Sequence, residues 1–273
     1  MSNNDLKPKK SLGQHFLADP NTARRIAKLG LAEVDPGQRV IEIGAGLGSL
    51  TVALAAYGAK VVAVETDSTL VKILRSVVES LDVRVVHANA LKLDWKELLA
   101  DESLPVGKGP TDWLLIANLP YNIATLLVIK LLEEVREISK MLVMVQKEVG
   151  DRLVASVGQD GFGAVSLKVA YWADAKLVGK VPSNVFIPPP AVSSVLVSIT
   201  RRSSAVLSLD DITYDQLFKV VYAGFATRRK MLRRALDGIV PPRAYLLADI
   251  SPQSRAEQLS LMDWYRLVSC MKA

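Results

Sequence analysis

The sequence predicts a doubly wound α/β domain with a mostly parallel sheet, followed by a small C-terminal α-helical domain. Three observations predict it. Short apolar runs alternate with helical stretches from Arg39 onward, a glycine-rich turn (Gly44-Ala-Gly46-Leu-Gly48) follows the first of those runs, and beyond Arg201 the apolar spacing becomes helical throughout. Strands that alternate with helices argue for parallel neighbours joined by right-handed crossovers.

Residues 1–37 read as a basic N-terminal arm and helix, with Lys7, Lys9 and Lys10 ahead of Ser11 and with Asp19-Pro20 opening a helix that carries Arg24, Arg25 and Lys28. Arg39-Val-Ile-Glu-Ile43 is the first buried strand, and an apolar helix runs from Ser49 to Tyr57. The second strand, Val61–Val64, ends in Glu65; Val83–Val86 is the third, Trp113–Asn118 the fourth and Met141–Val145 the fifth. Runs at Ala175–Val181 and Val192–Thr200 suit a terminal antiparallel pair. Residues 38–202 thus form the sheet domain, with a boundary at Arg201-Arg-Ser-Ser204, and residues 203–273 form the helical one. There Leu217, Val220 and Val221, then Met231, Leu232, Ala235 and Leu236, recur at helical spacing.

At 273 residues and 50% hydrophobic content, the chain can bury one large core and a smaller one. It contains no apolar run of about eighteen residues, and its polar, basic beginning lacks the apolar core of a signal peptide, so a soluble cytoplasmic protein away from any membrane is expected; a monomer is expected as well. Cys270 is the only cysteine, which excludes an intrachain disulfide and a cysteine-based zinc site. His15 and His87 lie far apart and form no metal-ligand pattern, so no metal is expected. The formal charge of +6 suits an anionic partner.

The glycine turn between a strand and a helix belongs at a cofactor. Gly44 and Gly46 permit a tight turn and close approach of backbone to ligand. Glu65, about twenty residues on, is placed to accept hydrogen bonds from a ribose diol. The dinucleotide fingerprint requires a third small residue where this chain has Ser49. The G-x-G-x-G spacing fits S-adenosylmethionine better, because that cofactor has a ribose and no pyrophosphate. A nicotinamide dehydrogenase is disfavoured for the same reason, and because no proton-transfer pair is evident.

The fourth strand ends in Asn118-Leu119-Pro120-Tyr121. An exocyclic amine on a flat ring is a poor nucleophile, because its lone pair is delocalised into the ring. A site that alkylates it needs acceptors for its two N–H groups, and the Asn118 side-chain oxygen and the Leu119 carbonyl can supply them. Pro120 directs the backbone at this turn, and Tyr121 offers a flat face for a base. Phe186, ahead of Pro188–Pro190, is expected to form a second wall opposite Tyr121; the alternative is a core aromatic held by a proline turn. No general base is expected, since a methylated amine cation gives its proton to water, and catalysis is then mostly alignment.

Ser11-Leu-Gly-Gln-His-Phe-Leu17, Glu42-Ile-Gly-Ala-Gly46, Asn118-Leu-Pro-Tyr121 and Phe186-Ile-Pro-Pro-Pro190-Ala-Val-Ser193 together resemble the small-subunit (16S) rRNA adenine N6,N6-dimethyltransferase family, over a span from about residue 7 to the C-terminus. The resemblance implies a Rossmann-like class I methyltransferase fold. It also implies an S-adenosylmethionine-dependent transfer of two methyl groups to N6 of each of two adjacent adenines near the 3′ end of small-subunit rRNA. A partly assembled small ribosomal subunit is the implied substrate. His15 and Leu17 are implied to touch the cofactor, with Asn118 counted in the cofactor-binding set as well. The family often has Asn at His15, and it usually has Asp at Asn89 to accept from the cofactor's adenine; Asn89 can still accept through its carbonyl oxygen. The related enzymes that methylate a large-subunit rRNA adenine and confer macrolide resistance are one alternative. Phe225-Ala-Thr-Arg-Arg-Lys-Met-Leu-Arg-Arg-Ala-Leu236 resembles the small-subunit family better. A non-catalytic nucleic-acid-binding relative is another alternative, against which the intact Asn118–Tyr121 motif weighs.

The same segment supplies the RNA-binding expectation. As one helix capped by Thr227, it places Met231, Leu232, Ala235 and Leu236 on one face and Arg229, Lys230, Arg233 and Arg234 on the other. Arg228, Arg229 and Lys230 then crowd the first turn, where the helix dipole disfavours cations. A phosphate bound there offsets the repulsion.

Overall fold

The computed structural model describes residues 13–32, 34, 37–100, 113–203 and 212–271. Lys7, Lys9, Lys10 and Ser11 of the basic arm, and Ser204 at the expected boundary, lie outside them. The chain forms two compact units: Met1–Gly150 with Lys176–Arg201, and Asp151–Ala175 with Arg202–Ala273.

The described chain opens with a two-residue strand, β1 (Phe16–Leu17), and a helix, α1 (Pro20–Gly30). The helix starts where Asp19 caps it, its carboxylate accepting from Asn21 N at 3.3 Å and Thr22 N at 2.8 Å, while Pro20 brings a preset φ to the first turn. Ala23, Ile26, Ala27 and Gly30 are its buried stripe. A Cβ at Gly30 would stand 2.5 Å from Ile116 Cδ1, so the helix lies closer to that strand than any larger residue permits. Then come β2 (Arg39–Ile43), α2 (Ser49–Ala56), β3 (Lys60–Glu65), α3 (Ser68–Val77) and β4 (Val83–His87). The alternation continues with α4 (Trp95–Ala100), β5 (Trp113–Asn118), α5 (Ala124–Glu134) and β6 (Ile138–Gln146). Two helices, α6 (Lys147–Val154) and α7 (Ala164–Trp172), precede β7 (Ala173–Val181), β8 (Phe186–Ile187) and β9 (Ser194–Arg201).

Seven strands make one sheet in the order β4-β3-β2-β5-β6-β9-β7. The first five run parallel, and β9 turns antiparallel to β6, with Met141 opposite Ile199. Val40, Ile41, Val61, Val62, Leu115 and Ile116 are buried, as the continuous apolar runs of a sheet covered on both faces require. Strand order reverses between β2 and β5, and a crevice opens beyond the carboxyl ends of the strands at such a point. The short β1–β8 ladder lies outside this sheet and outside the sequence reading.

The second unit holds α8 (Tyr214–Ala226), α9 (Leu232–Ala235), α10 (Pro242–Leu247) and α11 (Leu261–Ser269). Its core joins Leu217, Val221, Leu232, Leu236 and Trp264 with Phe162, Leu167 and Tyr171 from the α7 region. A Cβ at Gly224 would come within 2.5 Å of the Trp264 ring, so α8 and α11 meet backbone to indole. Residues 151–175 therefore pack with the C-terminal helices, although the sequence division put them in the 38–202 domain. The helix Ala164–Trp172 is apolar on several sides, burying Leu167, Val169 and Tyr171, so its pattern does not say which core it joins.

Two adjacent arginines mark the return to the C-terminal helices. Arg201 donates to Leu131 O, Leu132 O, Val135 O and Ile138 O at 2.9–3.1 Å, satisfying carbonyls at the end of α5 and the start of β6. Arg202 instead pairs with Asp174 and donates to Ala170 O. Replacing Arg201 by Met removes those donors. It should lower stability by about 1–3 kcal/mol in denaturant unfolding; no change would mean that water caps α5 as well.

Candidate active site

A cavity of about 250 Å³ opens where β2 and β5 diverge, and residues from β1, the glycine turn, the ends of β3 and β4, and Asn118–Ile123 line it. The turn after β2 runs through three left-handed residues: Gly44 at φ 74°, Gly46 at φ 58° and Gly48 at φ 88°. Side chains at Gly44 and Gly46 would also stand 3.3 Å from Pro120 Cδ and 3.2 Å from Phe16 Cδ1. Any Cβ here is therefore strained twice, by backbone conformation and by contact.

Glu65, at the end of β3 and 5% exposed, holds this turn in place. One carboxylate oxygen accepts from Gly46 N at 2.9 Å, and the other accepts from Thr66 N at 2.8 Å and Asp67 N at 2.9 Å. A carboxylate has about four acceptor positions, so one remains for a ribose hydroxyl. The expected ribose acceptor is thus also the anchor of the glycine loop. Its neighbour Glu42, also buried in the wall, was not singled out by the sequence reading beyond its place in the motif. Thr51 Oγ1 donates to it at 2.6 Å. Burial pushes the Glu42 carboxyl up to about 8; the Thr51 hydrogen bond opposes this and the charge of Glu65 adds to it. The signal for Glu42 was present, since an acidic residue inside the apolar run Arg39–Ile43 is out of place in a buried strand.

At the end of β5, Asn118 Nδ2 donates to the backbone carbonyl of His15 at 3.1 Å. The amide is thereby oriented, and its oxygen accepts from no described residue. No described residue donates to the Leu119 carbonyl either, while Leu119 N is tied to Met144 O at 3.1 Å. Both expected acceptors at the cavity rim are thus unengaged by any described residue. Tyr121 OH is 2.6 Å from Ser194 Oγ, and burial raises its phenol above the ordinary range while the Ser194 hydrogen bond opposes the shift. Ser194 was missed because only the fold brings it to Tyr121.

His15 and Leu17 line the cavity as expected. The His15 ring stacks on Tyr121, centroids 5.1 Å apart and planes 27° apart, and its Nδ1–H donates to Pro188 O at 2.8 Å. His15 thus covers one face of Tyr121. Asn89 lines the cavity beyond β4, but its side-chain oxygen already accepts from Leu91 N at 3.0 Å. One lone pair and the amide hydrogens remain for a ligand, so the acceptor expected for the cofactor's adenine is half used.

Two expectations are corrected. Phe186 is not a wall of the cavity: it is 2% exposed and packs among Leu17, Ile26 and Val181. In the β1–β8 ladder side chains alternate, so Phe186 points into the core and Ile187, 62% exposed, points out. Nor is Thr227 the start of a helix. It is the C-cap of α8, residues 228–230 form a turn, and the next helix, α9, covers only Leu232–Ala235. Three cations in a row at Arg228–Lys230 sit poorly in a helix start and well after a helix end, where the dipole favours positive charge. Met231, expected on the buried face, is 40% exposed, whereas Leu232 and Leu236 are fully buried. Arg228 is partly engaged with Phe162 O and Glu257. Arg229, Lys230, Arg233 and Arg234 are exposed, and no described residue makes a hydrogen bond or ion pair with their side chains.

Comparison with known proteins gives a consistent picture. A family model described as ribosomal RNA adenine dimethylase matches residues 5–273. The chain is similar to proteins named Ribosomal RNA small subunit methyltransferase A. The one from Cutibacterium acnes is 42% identical, with 97% of this chain and 89% of that protein covered; the one from Geobacillus thermodenitrificans is 38% identical, with 96% and 90% covered. Among solved structures, a dimethyladenosine transferase from Plasmodium falciparum superposes with a TM-score of 0.74 at 23% identity, covering 93% of this chain and 96% of that one. The 23S rRNA methyltransferase ErmE gives 0.68 at 24% identity, covering 94% and 100%. Both likenesses bear on the fold.

Glu65→Ala should weaken S-adenosylmethionine binding at least as much as loss of a charge-assisted hydrogen bond, roughly 10- to 150-fold, because the glycine turn loosens with it. Calorimetry at wild-type affinity would remove Glu65 from the site. Phe186→Ala should lower stability by about 3–5 kcal/mol, as a core truncation does. Tyr121→Ala should leave stability nearer the wild type and weaken capture of the target base by about 1–3 kcal/mol. Equal stability losses in the two variants would contradict the difference in burial.

Proposed function

The chain belongs to the ribosomal RNA adenine dimethylase family, and from that premise we propose that its cavity methylates N6 of two adjacent adenines, twice each, in the 3′-terminal hairpin of small-subunit rRNA during assembly of the small subunit. The observation that carries this reading is a pair of acceptors, Asn118 Oδ1 and Leu119 O, at the end of β5, to which no described residue donates.

When bound, S-adenosylmethionine supplies a methyl group on a sulfonium. The protein's residues fit it: a glycine turn without side chains, a carboxylate at the end of β3 with one acceptor position left, and Asn89 beyond β4. The Asn118 oxygen and the Leu119 carbonyl accept from the two N–H groups of the target amine. That favours a pyramidal nitrogen, whose lone pair is then available for attack. Because the Asn118 amide is already held by His15 O, little reorganisation is required as the nitrogen becomes positive. Tyr121, fixed by Ser194 and backed by His15, presents its remaining face to the unstacked base. No side chain has to serve as base, since the methylated ammonium is acidic enough to lose its proton to water.

The RNA partner is gripped in part by Arg229, Lys230, Arg233 and Arg234, with Arg228 bracing the turn against Glu257. Their exposure and lack of described partners support this reading; a helix-start phosphate site does not enter it.

Two measurements test the proposal. In labelled-methyl transfer to small subunits from an unmodified strain, with large subunits as control, Asn118→Ala should slow transfer by about 10²–10³-fold and change RNA affinity far less. A normal rate in that variant would overturn the active-site reading. Arg229→Glu with Arg233→Glu should weaken subunit binding and flatten its salt dependence by about 0.7–0.9 in slope for each lost phosphate contact. An unchanged slope would make those arginines an ordinary solvated face.

A further inference from the structure

Two buried carboxyl groups share the cavity wall, and their surroundings differ. Glu65 receives three backbone N–H groups. Glu42 is 2% exposed, receives one hydroxyl, that of Thr51 on α2, and forms no ion pair with any described residue. Among the described residues no lysine or arginine lines the cavity; the titratable groups there are Glu42, Glu65 on β3, and His15 and Tyr121 at the rim. Asp67 lies just beyond, accepting from Gln14 Nε2 and from Thr69 N. The neighbouring strand β5 presents only uncharged side chains from Trp113 to Asn118.

A carboxylate buried without a cation is costly, so such a group takes up a proton unless positive charge arrives. The arrangement around Glu42 matches that condition, and its carboxyl is pushed up to about 8 by burial and by Glu65. The cofactor brings the missing charge. Methyl transfer breaks the bond between sulfur and methyl and forms one between nitrogen and methyl. The sulfur keeps the electron pair, so a cationic sulfonium enters and an uncharged thioether leaves.

We propose that Glu42 discriminates the charged methyl donor from its demethylated product: it releases its proton when the sulfonium enters the cavity and takes one up again once the thioether remains. The inference rests on the S-adenosylmethionine reading of this cavity. Its consequence is selective retention of donor over spent product, which matters for a site that must exchange cofactor repeatedly on one substrate. Ionised Glu42 gains from the donor the attraction of the sulfonium, which the product lacks; the α-ammonium is common to both. The sign follows from linkage: below about pH 8 donor binding must expel a proton, so donor affinity rises with pH by up to tenfold per unit and levels off above it, while product affinity, without the sulfonium, rises less.

The test is calorimetric titration of the full chain with S-adenosylmethionine and with S-adenosylhomocysteine, from about pH 6 to about pH 9, in buffers of different ionisation enthalpy. Both ligands carry an α-amino group and a carboxylate; the donor's amine is the more acidic because of its sulfonium, so each free ligand is titrated separately and its own proton is subtracted before the affinities are compared. The wild-type donor-to-product ratio should climb by up to about tenfold per pH unit below pH 8, with donor binding releasing up to about one proton more than product binding. Glu42→Gln keeps the shape and the Thr51 contact and should make the ratio flat. A flat ratio in the wild type, or a slope that survives in Glu42→Gln, overturns the proposal; if the variant does not fold, the wild-type ratio decides. Failure of both ligands to bind would overturn the cofactor reading itself, and the proposal with it.

Discussion

Three backbone N–H groups converge on the carboxylate of Glu65, and the shape of the cavity follows from that convergence. The glycine turn after β2 has no side chains with which to hold itself, and its left-handed residues give it more freedom than any other sequence would. Its order comes from the neighbouring strand: Glu65 ends β3 beside β2, and its oxygens reach Gly46 N across the gap. Parallel pairing of β2 with β3 sets this distance, with Ile43 opposite Val64. A one-residue slip would turn Glu65 to the other face of the sheet and release the turn. The pairing register and the ligand site are therefore one constraint.

The second strand end works in the same way. Asn118 has a donor and an acceptor, and the His15 carbonyl takes the donor, so the acceptor is oriented by default. Tyr121 is restrained at its hydroxyl by Ser194 and on one ring face by His15. The N-terminal segment thus meets the end of β5 through its backbone carbonyl and its imidazole ring, while His15 and Leu17 also line the cavity. Groups held before the substrate arrives need not reorganise as charge develops, which is where such sites gain most of their effect.

How much of this was legible in the sequence depends on the range of the interactions involved. Strands Arg39–Ile43 and Trp113–Asn118, the cap at Asp19 and the acidic end at Glu65 are written in local patterns, and the structure has them in place. Phe186 was misassigned because the β1–β8 ladder that turns it inward joins residues far apart, and no local alternation marks a two-residue strand. The α7 segment was misassigned for the converse reason: a helix apolar on several sides fits either core, and only packing chooses. At Thr227 the local pattern misled outright. Apolar residues at helical spacing continue across the turn at 228–230, so the period gave no sign of the break.

That break changes the physics of the basic segment without changing its members. As a helix start, Arg228–Lys230 would oppose the dipole and require an anion to relieve them. As the residues after α8, they lie where carbonyl ends accumulate negative potential, and they are stable without any ligand. Stability alone then explains why cations can stand there, and it does not explain why Arg229 and Lys230, with Arg233 and Arg234 of α9, reach solvent with no described partner while Arg228 is braced. A protein that only needed to cap α8 would be served by one cation. The proposed RNA contact draws on that surplus, since each exposed cation would displace a counterion from phosphate at no expense to an ion pair with a described residue. The two units thus differ in electrostatic character: the first buries two carboxyl groups beside a cavity that no described lysine or arginine lines, and the second leaves Arg229, Lys230, Arg233 and Arg234 without a described partner.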